Sequence, residues 1–125
     1  MPPTPGLRAH IDLVVTDRDT AIALGSGDVP VLATPRILAL CEEATVAAVA
    51  PVLESDETTV GIRAELDHTA PTAVGATVVA TAELTAVEGR TLTFAVHATA
   101  GGRIVASGSV RRVVVDRQRF VDRLA

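Results

Sequence analysis

The stretch that decides the fold is TPRILALCEEATVAAVA, Thr34–Ala50. It contains no glycine, and its one proline lies in the first turn, where a helix tolerates a residue without a backbone donor. Thr34 is expected to cap the free N–H groups of that turn, and Pro51 to end or kink the helix. A run of about 16 helical residues measures about 24 Å. Ile37, Leu38, Leu40, Cys41, Ala44, Val46, Ala47 and Val49 leave little polar face, so the helix is expected to be buried. Glu42 and Glu43 stand out in it. A carboxylate in a buried helix costs free energy unless it is paired, solvated through a cleft, or protonated.

Outward from the helix, the C-terminal half alternates in the manner of strands, about Thr58–Leu66, Thr77–Val87, Thr91–Thr99 and Arg103–Val115. Glu88-Gly89 and Gly101-Gly102 mark hairpin turns between Thr- and Val-rich runs. On the N-terminal side, Arg8 to Val15 reads as a strand with Ile11, Leu13 and Val15 on one side, and Thr20 to Leu24 as a second short strand. Gly25-Ser26-Gly27-Asp28 lacks the third glycine and the preceding strand of a dinucleotide fingerprint, and reads as a turn or mobile loop. Residues 1–6, with three prolines, read as a flexible arm on one domain, 1–125. Strands of about 9–13 residues run roughly 30–43 Å, enough to curl around the helix. The expected class is α+β, one long central helix wrapped by a curved antiparallel sheet. A sheet covered on one face by a single helix leaves an edge in need of cover, so a homodimer or higher homo-oligomer is expected, with any cleft between copies drawing residues from both.

Composition removes several function classes. The chain has 125 residues, 48% hydrophobic and 21% charged, which is globular rather than disordered. Aromatics are 2%, Phe94 and Phe120 only, so the stacking platforms of single-strand nucleic-acid binders are missing. All 11 basic residues are arginine against 15 acidic ones, and a net charge of -4 gives a polyphosphate backbone nothing to follow. No apolar run approaches the ~18 residues of a membrane span, and no basic, then apolar, leader opens the chain, so a cytoplasmic location is expected. Cys41 alone makes neither an internal disulfide nor a zinc cluster, and no metal is expected. The all-Arg, Ala/Val-rich vocabulary is that of a GC-rich bacterial genome.

Three polar side chains occupy special places: Thr34 at the helix start, Glu42 two turns into it, and His68 in the break after a strand. Such a set suits hydrolysis. Glu42 or His68 serves as base, Thr34 as hydrogen-bonding group or nucleophile, and the helix opening as a source of donors for an oxyanion. Against this stand plainer roles: an N-cap for Thr34, an ion pair or solvent exposure for Glu42, a loop hydrogen bond for His68. Glu43 reads as a rim or ion-pair residue, His10 as surface, His97 as a solvent-facing or cross-strand residue, and Cys41 as an inert buried thiol. Adjacent Arg111 and Arg112 must point to opposite faces of their strand.

VLATPRILALCEEA (31–44), TVGIRAELDHTAPTAVGATV (59–78) and EGRTLTF (88–94) together resemble the hotdog-fold acyl-CoA thioesterases, in particular the fluoroacetyl-CoA thioesterase group. The resemblance runs from about His10 to Asp116. It implies a hotdog fold and hydrolysis of a small or medium acyl-CoA to carboxylate and free CoA, with CoA part of the substrate and no separate cofactor. It implies Thr34, Glu42 and His68 as catalytic residues, Gly61 as a point of close substrate approach, and Arg112 as a support on the last strand. The group's lid carries phenylalanines, whereas Gly25–Leu32 has no aromatic residue. Arg36, Arg90, Arg111 and Arg112 are the arginines open to the CoA phosphates. A non-catalytic acyl-CoA-binding protein and an enoyl-CoA hydratase or dehydratase are the alternatives on the same fold.

Overall fold

The computed structural model describes residues 2–124. Five strands, β1 (Arg8–Val14), β2 (Glu57–His68), β3 (Thr77–Glu88), β4 (Thr91–Ala100) and β5 (Arg103–Asp116), form one antiparallel sheet in the order β1-β3-β4-β5-β2. Its hairpin turns are made by Gly89, Gly101 and Gly102, all at positive φ, where glycine bears no side-chain clash. Across the concave face lies helix α2 (Thr34–Val49), packed chiefly on β1 and β3. Shorter helices α1 (Ala21–Leu24) and α3 (Arg117–Asp122) complete the chain. The hotdog architecture and the strand boundaries agree with the sequence reading to within a few residues; α3, too short and polar to show a periodic stripe, was not legible.

Small strand residues explain how a helix sits so deep in the sheet. Ala80, Ala82, Ala98 and Ala106 are fully buried, leaving room for Ile37, Leu40 and Cys41 from α2 and for Phe94, Leu84 and Leu92 from the strands. The helix is buried on one side only. Ala39, Glu43 and Val46 on its opposite face are exposed, which corrects the expectation of burial all round.

Thr20–Leu24 is the other correction. Only Thr20 bridges, to Leu32; Ala21–Leu24 turns into α1 because the Thr20 hydroxyl accepts from the Ala23 N–H at 3.2 Å and Gly25, at φ 72°, closes the turn. Just before it, buried Asp19 ties this segment to α2. Its carboxylate accepts from the Thr16 N–H at 2.8 Å, the Thr16 hydroxyl at 2.9 Å and Arg36 Nε at 2.9 Å. The Asp19 carbonyl accepts from the Ala33 N–H at 2.9 Å, fixing the entry to the helix. Burial raises the Asp19 pKa, but the hydrogen bonds from Thr16 and the Arg36 charge outweigh it and hold the carboxyl below 3.8.

These contacts set the stability of the fold at two points. A Cβ at Gly108, where β5 passes β2, would overlap the Glu65 carbonyl oxygen and come within 2.8 Å of its carbon, both fixed backbone. Gly108→Ala is therefore expected to cost about 1–3 kcal/mol and to lower Tm by about 4–12 °C. For Asp19, a depressed folded pKa means stability that is complete above 3.8 and lost as pH falls through the lower folded value. Asp19→Asn is expected to melt several degrees below the parent at pH 7, the two curves converging as the pH drops below about 4.

Candidate active site

Thr34 and His68 meet directly. The Thr34 hydroxyl lies 2.7 Å from His68 Nδ1, joining the first residue of α2 to the last residue of β2. The expected capping role of Thr34 is not observed: the N-cap is Ala33, and the Thr34 side chain makes no capping bond, leaving its hydroxyl for the imidazole. His68 is held at its position by the sheet, opposite Ala106, and by the N–H groups of Thr69 and Ala70, both donating to the Val105 carbonyl. Its other nitrogen, Nε2, is buried with no hydrogen-bond partner. Both side chains line an open cavity of about 280 Å³ between the segment before α2 and the loop after β2.

Among the amides at the helix opening, the Ala33 N–H goes to Asp19, Pro35 has none, and the Arg36 N–H goes to the Ala33 carbonyl. The Thr34 N–H is the one left without an acceptor among the described residues. The proline that starts the helix thus narrows the expected set of oxyanion donors to one.

Glu42, Gly61 and Arg112 form a second group. Arg112 is 7% exposed, and its guanidinium spends its donors on three oxygens: Nε to the Thr59 hydroxyl at 2.9 Å, Nη2 to the Thr59 carbonyl at 3.1 Å, and Nη1 to Glu42 Oε2 at 3.3 Å. Burial lowers the Arg112 pKa, and the Glu42 charge offsets part of that loss. Gly61 sits beneath this pair. A Cβ there would stand 2.9 Å from Glu42 Oε2 and 3.3 Å from Arg112 Nη1, so the absent side chain is what lets the carboxylate lie against β2. Glu42 is not sunk in apolar surroundings as the sequence implied; its side chain is 39% exposed and opens into a cavity of about 500 Å³ shared with Ile11, Ala39, Val46 and Arg112. Thr59 gave no signal in the sequence, because a threonine in a strand carries no mark of the arginine it serves.

The two groups do not touch within one chain. Eight residues separate Thr34 from Glu42, about 12 Å along a helix, and their side chains line different cavities. The remaining candidates fall outside both groups or play supporting parts. Glu43 is exposed and lies 3.8 Å from Arg36, the rim ion pair expected of it. Burial, then the neighbouring Glu42 charge, pushes the Cys41 thiol up to about 11, so it stays protonated and inert. His97 lies between Thr81 and Ser107 in the sheet register and alternates with buried Val96 and Ala98, so it faces away from the core, and His10 is exposed. Arg36 and Arg90 are committed to Asp19 and to Glu57 with the Val114 carbonyl, and Arg112 is enclosed; Arg111, on the opposite face of β5, is exposed. Among the described residues no group of three or more His, Cys, Asp or Glu side chains gathers to hold a metal.

Gly61→Ala is expected to displace the Glu42 carboxylate while sparing the fold, since the atom it meets is the end of a flexible side chain. The checks are an unchanged Tm and, in a crystal structure of the variant, a Glu42–Arg112 separation well beyond 3.3 Å.

Comparison with known proteins places this geometry. Residues 15–118 match the family described as fluoroacetyl-CoA-specific thioesterase. The fluoroacetyl-CoA thioesterase of Streptantibioticus cattleyicolor is 42% identical over 90 residues, 72% of this chain and 65% of that protein, so the match spans about two thirds of the relative's length. The crystal structure of the fluoroacetyl-CoA thioesterase FlK superposes with a TM-score of 0.90 at 36% identity, covering 98% of this chain and 95% of that one. A variant of FlK in complex with fluoroacetate and CoA gives 0.87 at 37%, covering 94% and 99%. A thioesterase superfamily member from Thermus thermophilus gives 0.90 at 25%, covering 97% and 90%. With its sequence matched over most of its length and its helix and sheet shared throughout, this chain belongs to the fluoroacetyl-CoA-specific thioesterase family.

Proposed function

We propose that the protein hydrolyses a small or medium acyl-CoA thioester to a carboxylate and free CoA, at a site completed by two copies of the chain. The observation that carries this reading is the Thr34–His68 pair at 2.7 Å, with His68 Nε2 buried and unpartnered beside a cavity, in a member of a thioesterase family. Water adds to the thioester carbonyl, the carbon–sulfur bond breaks, one water proton ends on the CoA sulfur, and the other leaves as the acid ionises. Glu42 takes the proton from water, or attacks the carbonyl itself and is then hydrolysed; the products are the same. His68 moves the proton toward the leaving sulfur, Thr34 orients the imidazole, and the Thr34 N–H faces the developing oxyanion. Arg112 and Gly61 hold Glu42 in place. CoA enters only as part of the substrate. The family match favours neither a hydratase nor a purely binding role. The protein is assigned to the cytoplasm; among the described residues no helix is long and apolar enough to cross a membrane.

The second copy answers the separation of the two groups. β2 is an edge strand of 12 residues whose positions 61–65 are exposed, with Ile62 at 55%, and a long open edge is a template for another chain. Antiparallel pairing of two β2 edges brings the His68 end of one strand toward the Gly61 region of its partner. Thr34 and His68 of one copy then face Glu42 of the other. The exposed apolar strip of α2, Ala39 and Val46, lies beside the same seam and is covered with it.

Thiol release from acyl-CoA is expected from the parent protein, with loss of about 10³-fold in Glu42→Ala and about 10²-fold in His68→Ala. Mixing the two inactive variants under conditions that exchange protomers is expected to restore about a quarter of parental activity, because half the dimers are mixed and each has one intact site. Full activity in either single variant, or no recovery on mixing, would refute the assigned site or its two-chain composition respectively.

A further inference from the structure

The cavity beside His68 bears on the choice of acyl group, provided the protein is the thioesterase proposed for this site. Its walls come from the strap that precedes α2 (Ala21, Ser26, Val31) and from the loop after β2 (Ala70, Pro71), and none of these wall side chains is charged. It measures about 280 Å³. A water-sized group takes about 30 Å³, so this space holds about nine such groups, well beyond the three non-hydrogen atoms of an acetyl unit. The strap is firmly based but loosely topped. It is pinned by the Thr20–Leu32 and Val31–Ala73 bridges and by the Ser26 N–H donating to the Ala21 carbonyl at 3.0 Å. Between these anchors residues 22–30 are all exposed, and the side chains of Ile22, Leu24 and Val29 stand in solvent rather than filling the cavity.

From this lining we infer that the enzyme prefers an uncharged, apolar acyl group of about four to six carbons, straight or branched, over two-carbon and carboxylate-bearing acyl groups. A short acyl group leaves the apolar part of the far wall, Ala21, Val31, Ala70 and Pro71, without a partner. Each methylene that reaches the wall improves transition-state binding by about fourfold. A terminal carboxylate, as in a dicarboxylic monothioester, would meet no cation in these walls. Selection here is by size and by charge, and both come from the same handful of uncharged side chains.

The test is kcat/KM by thiol release on acetyl-, fluoroacetyl-, isovaleryl-, hexanoyl- and succinyl-CoA. Expected are values for isovaleryl- and hexanoyl-CoA at least about tenfold above both two-carbon substrates, and succinyl-CoA about 100-fold or more below hexanoyl-CoA. A smaller ratio in either comparison overturns the acyl preference and leaves the thioesterase activity standing. No release from any of the five overturns that activity and the preference with it. Ser26→Phe and, independently, Ala70→Leu fill the cavity from opposite walls. Each is expected to cut the hexanoyl-to-acetyl ratio of kcat/KM by about tenfold or more. An unchanged ratio in both would locate the acyl group elsewhere and overturn the proposal.

Discussion

Burying a guanidinium on the inner face of a sheet is costly unless its donors are met, and Arg112 meets them within one strand and one helix. Thr59 supplies a hydroxyl and a carbonyl, and Glu42 supplies a charge. Much of the site depends on this arrangement. The guanidinium is fixed because the β2–β5 register sets Gly61 against Arg112, with Thr59 two residues further along the same strand. The carboxylate is fixed because the guanidinium is, and because Gly61 has no side chain to displace it. A half-exposed glutamate is thereby tethered through Oε2 while its side chain lines the cavity.

The opposite end of the helix is built on different physics. There the determinant is the path of the chain into α2: Asp19 holds Ala33 and Arg36, Pro35 removes a donor, and the Thr34 hydroxyl turns to His68. The start of the rod therefore presents a hydroxyl and an amide beside the imidazole at the end of β2, and its middle carries a carboxylate. A rigid helix cannot fold these together. Under the two-copy site proposed above, a second rod arriving in the opposite sense along the open β2 edge would join them and would cover the 12-residue edge and the exposed apolar helix face. The same division separates the proposed functions: the polar atoms of the two groups are assigned the hydrolysis, and the strap and the loop after β2 the acyl space.

What the sequence determined by itself was the periodic part. A helix without internal glycine or proline, four strands alternating with period two and glycine at the hairpin turns have few other ways to fold, and Thr34, Glu42 and His68 are visible as polar side chains at apolar or chain-breaking positions. Tertiary structure decided what no spacing encodes. It turned Thr20–Leu24 into a helical turn, because a threonine cap and a left-handed glycine satisfy its ends locally. It took Thr34 from cap to partner of His68, brought in Thr59, enclosed Arg112 while leaving Arg111 outside, and opened one face of a helix that reads as buried all round. Each of these depends on which residue lies across from which in register, a relation between distant parts of the chain that local pattern cannot carry.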